Sequence, residues 1–158
     1  MTAAELENYL HEHIPLSRAM GVSVKSVRPG RAVLWAPLQP NINHRETAFG
    51  GSMSALAILA AWSLLHSRLQ DERRTARLVI QRNTMEYESP VSGEFLAIAV
   101  LDAEQSWQKF LRMLTLKGRA RITVSALVEH AGQVAGRFSG EFVAIGGTGA
   151  CPAVSDHG

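Results

Sequence analysis

The sequence predicts an α+β domain in which a curved antiparallel sheet wraps one long central helix. Three observations carry that expectation. From Met53 to Leu65 the chain is almost wholly apolar, and Met53, Leu56, Ile58, Leu59, Trp62, Leu64 and Leu65 point in nearly every direction around a helix. Such a helix needs burial on all sides. From Arg119 to Glu129 apolar and polar residues alternate with the period of two that marks a strand with one buried face. The element order is a helix, two strands, the apolar helix, then about four strands with a small helical insertion. That order leaves the long strands to cover the apolar helix.

The elements follow one by one. Thr2 and Glu5 fit a capping box, and Leu6, Tyr9 and Leu10 follow at helical spacing, so a short amphipathic helix runs to about His13, where Pro15 ends or re-aims it. Val22 to Val27 and Ala32 to Ala36 read as a hairpin joined by Arg28-Pro-Gly-Arg31. The central helix spans Ser52 to Arg68, with Ser52 available as its N-cap. After the polar connection Asp71 to Arg74, Arg77 to Glu88 is a strand stopped by Ser89-Pro90, and Glu94 to Leu101 is a more buried one. Between Asp102 and Lys117 the spacing becomes helical, with Trp107, Phe110, Leu111 and Leu114 on one face. The strand from Arg119 to Glu129 turns at His130 into a last strand, Val134 to Ile145. The Gly-rich stretch 146–158 reads as a disordered tail, leaving one domain over 1–145.

Composition excludes several classes. The 158 residues with 46% hydrophobic content suit a single core of ordinary size. The apolar run from Met53 to Leu65 is shorter than the roughly 20 residues a bilayer span requires, so no membrane span is expected. Sixteen basic against 14 acidic residues, with no clustered basic face, argue against a nucleic-acid partner. No secretion signal is recognisable and Cys151 has no second cysteine to pair with, so a cytoplasmic protein is expected. His11, His13, His66, His130 and His157 lack the spacing of a zinc site, and no metal or other cofactor is expected.

The chemistry concentrates in Pro40 to Ser52, a polar loop ending in two glycines that runs straight into the apolar helix. Backbone N–H groups at Gly50, Gly51 and Ser52 can face a developing oxyanion with the helix dipole behind them. Asn43 can orient water or a carbonyl through its amide, and His44 and Glu46 are the nearby groups able to take a proton, His44 before Glu46. Taken singly, each feature has a plainer role. Paired glycines before a helix commonly serve a tight turn, a loop histidine is more often only hydrogen-bonded, and Ser52 suits a cap better than a nucleophile because no Ser-His-Asp set accompanies it. Lys117, Arg119 and Arg121 lie near a strand start, where alternation puts them on one face that is either simply solvated or binds phosphates or an acidic carrier protein.

The order of elements together with Asn41-Ile-Asn-His44, Thr47-Ala-Phe-Gly-Gly-Ser52 and Glu86-Tyr-Glu-Ser-Pro-Val91 resembles the hotdog fold. From about His13 to Ile145 the chain is most similar to the thioesterase-type domain that follows an acetyltransferase domain in some two-domain bacterial proteins. The resemblance implies hydrolysis of an acyl thioester on CoA or acyl carrier protein, in a homodimer or dimer of dimers with active sites between subunits. It places Asn43, Gly50 and Gly51 on the family's loop motif. Phe49 stands where the small acyl-CoA branch carries His, and Ile58 where it carries a helical carboxylate. Thr47 and Phe49, with Lys117, Arg119 and Arg121, are the expected substrate contacts. The base is His44, Glu46, or a carboxylate such as Glu86 or Asp102 brought across a dimer interface. A hotdog hydratase or dehydratase and a non-catalytic acyl-thioester binding domain are the alternatives.

Overall fold

A computed structural model describes residues 1–101 and 103–146. Its elements are α1 (Ala3–His13), α2 (Pro15–Ala19), β1 (Ser23–Arg28), β2 (Arg31–Ala36), a 3-10 turn (Gln39–Asn41), α3 (Gly50–Asp71), β3 (Arg77–Tyr87), β4 (Phe95–Val100), α4 (Glu104–Lys117), β5 (Arg119–His130) and β6 (Gln133–Ile145). The six strands form one antiparallel sheet in the order β1-β2-β4-β5-β6-β3. α3 lies against its inner face and touches every strand. This is the sheet-around-helix arrangement expected from the apolar helix, and the hotdog architecture that the resemblance implies.

Burial follows the sequence pattern closely. Leu56, Leu64 and Leu65 of α3 are fully buried, as are Leu34, Phe95, Val124, Val128 and Phe142 of the strands. Each such side chain contributes roughly 1.5–3 kcal/mol relative to exposure. Ala120, Ile122, Val124, Ala126 and Val128 point inward along β5. Pro15 does more than stop α1, since it opens α2 from its first position. The Thr2 and Glu5 capping box forms on α1.

α4 docks by the four residues the spacing selects, Trp107, Phe110, Leu111 and Leu114. A polar clamp fixes it to the far end of α3. The Arg68 guanidinium, itself buried, donates from Nη2 to both Glu104 carboxylate oxygens at 2.8 Å and lies 4.4 Å from the Trp107 ring centre. Trp107 in turn donates its indole N–H to Glu72 at 2.7 Å. Hydrogen bonds from Arg68 hold the Glu104 carboxyl below its ordinary pKa, with a second contribution from Gln108.

The two sheet edges differ. On β1, α1 packs alongside, the Glu7 carboxylate accepts the Val24 N–H at 2.8 Å, and a bulge interrupts the register between Val24 and Ser26. Among the described residues β3 pairs only with β6, no strand lies on its outer side, and Trp62 donates its indole N–H to the Leu78 carbonyl at 3.0 Å. Val79 there is 48% exposed.

Two expectations change. α3 begins at Gly50, with Phe49 as an N-cap that makes no side-chain cap bond, so Ser52 lies inside the first turn. Lys117 is the last residue of α4, ended by Gly118 in the left-handed conformation (φ 66°), and only Arg119 and Arg121 share the strand alternation. Gly146, counted with the tail, donates its N–H to the Gly118 carbonyl at 2.9 Å. Asp102, Cys151 and the rest of the expected tail, 147–158, lie outside the described residues. No described helix is long and apolar enough to cross a membrane.

Candidate active site

The loop before α3 is tied down from both sides. Asn41 is buried and donates from Nδ2 to the Met20 and Pro37 carbonyls at 2.9 and 2.8 Å, while its own carbonyl accepts the Phe49 N–H at 2.7 Å. Ala48 donates its N–H to the Val91 carbonyl at 2.8 Å, so the loop touches the end of the 86–91 stretch. Between these anchors Asn43 organises a tight turn. Its Oδ1 accepts the Arg45 and Thr47 N–H groups at 2.8 and 3.2 Å, and its Nδ2 donates to Thr47 Oγ1 at 2.9 Å. Glu46 sits at φ 61° in that turn. The Asn43 amide is therefore hydrogen-bonded within its own loop.

His44 and Glu46 are exposed, and neither side chain makes a hydrogen bond within the described residues. They are free to meet a ligand or a second subunit. Ile58, at the position of the family's helical carboxylate, is half-buried against the core. Among the described residues, no group of three or more His, Cys, Asp or Glu is arranged to hold a metal.

At the start of α3 the Ser52 and Met53 N–H groups both donate to the Phe49 carbonyl, at 2.9 and 3.1 Å. Among the described residues the Gly50 and Gly51 N–H groups have no acceptor, and they are the donors the helix end leaves open. With no carboxylate or hydroxyl capping them, the positive end of the helix dipole stays unneutralised there. Two aromatic rings border this pair. The Phe49 ring lies over Gly51, where a Cβ would collide with it, and the Tyr87 ring lies beside Gly50, where a Cβ would stand 3.3 Å from Cε1. Tyr87 also donates its hydroxyl to the Gly50 carbonyl at 3.1 Å. Glycine at both positions is what allows the rings so close.

Beside Gly51 and Ser52 opens a groove of about 300 Å³ walled by Leu16, Met20, Pro40, Phe49 and Ala55. Ala55 lies one helical turn beyond Gly51, on the same face of α3. Thr47 is taken up by its bonds to Asn43, so Phe49 is the expected substrate contact that the structure places on the groove.

The basic residues are elsewhere. Lys117, Arg119 and Arg121 line one hollow with Met113. Tyr87, Gly136 and Val128 share one rung of the sheet, and Arg77, Ile145 and Arg119 share another. Nine residues of β5 separate the rungs, about 30 Å at 3.3 Å per residue. One chain therefore does not bring the cations to the helix end.

Tyr87 and the groove residues Leu16, Met20 and Ala55 carry no role in the sequence reading. Tyr87 stands inside the Glu86 to Val91 motif, which is the one signal pointing to it. The groove residues give no signal, being ordinary apolar residues drawn from separate elements.

Residues 3–146 match the family described as "Putative thioesterase (yiiD_Cterm)". Solved structures are similar over nearly the whole chain. A protein of unknown function from Chlorobaculum tepidum TLS is 29% identical, with a TM-score of 0.87 over 91% of this chain and 94% of that one. A structure described as the putative thioesterase from Shewanella oneidensis is 22% identical, with a TM-score of 0.80 over 90% of this chain and 96% of that one. The E. coli PaaI protein from the phenylacetic acid degradation operon is 18% identical, with a TM-score of 0.66 over 92% and 95%.

Proposed function

We propose, from the premise that this chain belongs to the family described as "Putative thioesterase (yiiD_Cterm)", that it hydrolyses an acyl thioester carried by CoA or by an acyl carrier protein. The observation that carries the reading is the pair of open N–H groups at Gly50 and Gly51, set at a helix N-terminus beside an apolar groove. A thioester needs those two things side by side: donors for its carbonyl oxygen and a dry channel for its acyl chain.

In this reading the carbonyl oxygen sits at Gly50 and Gly51, and the acyl chain runs along Phe49 and Ala55. Water adds to the carbonyl carbon and passes its proton to His44, the exposed loop base, with Glu46 as its neighbour. Charge gathers on the oxygen, where the helix dipole favours it. Collapse breaks the C–S bond, and the thiolate recovers the proton as free thiol. Asn43 shapes the loop that presents His44, and Ser52 contributes through the first turn of α3.

A second copy completes the site. The open β3 edge suits antiparallel two-fold pairing, which lays the Tyr87 end of one β3 beside the Arg77 end of the other. That pairing brings Arg119 and Arg121 of the second copy, with Lys117, towards this helix end, where they can meet the phosphates of CoA or of a carrier's prosthetic arm. A homodimer in the cytoplasm fits this reading.

The non-catalytic alternative draws on Phe49 and Ile58, which leave the cap of α3 and its N-terminal turns, as far as Leu65, without an acid or base. Incubating the purified protein with short, medium and long acyl-CoAs and acyl carrier proteins, and following free thiol, separates the two. Thiol release that falls about a hundredfold or more in His44→Ala supports hydrolysis with His44 as base. Ligand binding without thiol release favours the binding domain.

A further inference from the structure

We infer that Tyr87 is a positioning residue for the oxyanion donors, acting through the Gly50–Gly51 peptide. The inference rests on the thioesterase reading and adds to it a residue 37 positions away in sequence.

The Gly50 carbonyl and the Gly51 N–H belong to one peptide unit. When the carbonyl accepts a hydrogen bond, the unit polarises and its N–H becomes a stronger donor. Tyr87 supplies such a bond, hydroxyl to carbonyl, at 3.1 Å. The helix ladder draws on the same carbonyl from the next turn, and a carbonyl oxygen has two lone pairs. The bond thus adds to the ladder without replacing any part of it.

Three features set this contact apart from a chance surface bond. Tyr87 is 53% exposed, so its hydroxyl could be satisfied by water and does not need the protein partner. Its backbone is pinned at the end of β3, where Tyr87 pairs with Gly136 and where the next two N–H groups, of Glu88 and Ser89, both donate to the Ala135 carbonyl. Arg137 donates to Glu88 at 2.7 Å and fixes the strand end further. The ring then lies so close to Gly50 that a Cβ there would stand 3.3 Å from its Cε1. A side chain on a pinned strand end is thereby aimed at the peptide that carries one of the two open N–H groups. It orients that peptide plane as well as polarising it, both before charge develops on the substrate.

The test is Tyr87→Phe, which keeps the ring and removes the hydroxyl. We expect kcat for acyl-CoA hydrolysis to fall roughly tenfold, a fraction of the hundredfold or more that follows loss of an oxyanion donor itself. KM should stay within about twofold, since the bond matters most when charge is on the oxygen. The Gly51 amide proton resonance should move upfield in the variant as its peptide loses polarisation, while thermal stability holds. An unchanged kcat overturns the role of Tyr87 and leaves the thioesterase reading standing. So does a lower kcat with the Gly51 resonance unmoved. A wild-type protein that releases no thiol from any acyl-CoA or carrier-protein substrate overturns the thioesterase reading and this inference together.

Discussion

Asn43 and Thr47 close their loop on each other: Asn43 Oδ1 accepts the Thr47 N–H at 3.2 Å, Asn43 Nδ2 donates to Thr47 Oγ1 at 2.9 Å, and the Asn43 N–H donates to the Thr47 carbonyl at 2.8 Å. Every polar group of the asparagine side chain is thus used to bend the chain that carries His44. An asparagine placed to orient substrate would have its amide pointing outward.

This makes a distinguishable prediction. Asn43→Ala removes both the acceptor and the donor, and should cost about 1–2 kcal/mol of stability together with most activity. Asn43→Asp keeps the acceptor for the Arg45 and Thr47 N–H groups and can take a hydrogen bond from the Thr47 hydroxyl, so it should retain a measurable share of both. Denaturant midpoints and thiol release on the two variants check it. Full loss of activity in Asn43→Asp with native stability would return Asn43 to the chemistry.

Ala55 lines the groove one turn beyond Gly51. Ala55→Phe fills the channel one turn beyond Gly51 without touching the open N–H groups. It should lower kcat/KM for medium and long acyl chains by on the order of tenfold or more, with each excluded methylene worth about 0.8 kcal/mol, and leave the shortest substrate nearly unchanged. A uniform loss over all chain lengths would place the acyl chain elsewhere.

The β3 edge should carry the association. Asn83→Glu combined with Thr84→Glu puts like charges near the midpoint of β3, where a two-fold axis brings each strand against its own copy. Light scattering should show twice the chain mass for the wild type and a dimer dissociation constant raised about fivefold or more in the variant, since two opposed like-charge pairs cost on the order of 1 kcal/mol or more. Activity should fall with the dimer fraction, because Arg119 and Arg121 then leave the site. A wild-type monomer with full activity would remove the second copy from the mechanism.

His66 gives the fold a pH dependence with a definite sign. Its ring is stacked 4.5 Å from both Tyr9 and Trp62, with Nε2 buried and unpartnered among the described residues. Burial, and secondarily the neighbouring His13, push its pKa below the ordinary value. The unfolded chain therefore binds the proton first as pH falls, so stability is full above about pH 6.5 and declines below it. Urea midpoints between pH 8 and pH 5.5 should show that decline. His66→Phe keeps the stack and should flatten it; an equally steep decline in that variant would assign it to other groups.

Periodicity made most of the fold legible. α3, with apolar residues around its circumference, and β5, with its unbroken alternation, each implied the other, because a helix buried on all sides requires a sheet curved enough to cover it. The face chosen for α4 was also readable, since Trp107, Phe110, Leu111 and Leu114 repeat at helical spacing. β3 was readable as a strand, but its edge position was not, because pairing order is a long-range property. Of the candidate site, the loop and the helix end it leads into were legible. The glycines and the polar loop marked where the helix dipole is exposed, yet residue type could not show that Asn43 spends its amide on its own turn. Nor could it show that Phe49, not Ser52, stands at the cap. Tyr87 escaped assignment because its contact with Gly50 exists only once β3 has paired with β6.

The unequal edges of the sheet also decide how far such molecules can add to one another. Glu7 and the bulge occupy β1, so a copy that joins through β3 finds nothing to continue from on the other side. Strand addition through β3 is then expected to stop at two. A chain with both borders bare could recruit neighbours without end and grow into a filament; here the carboxylate of one short N-terminal helix helps to keep growth by that route finite.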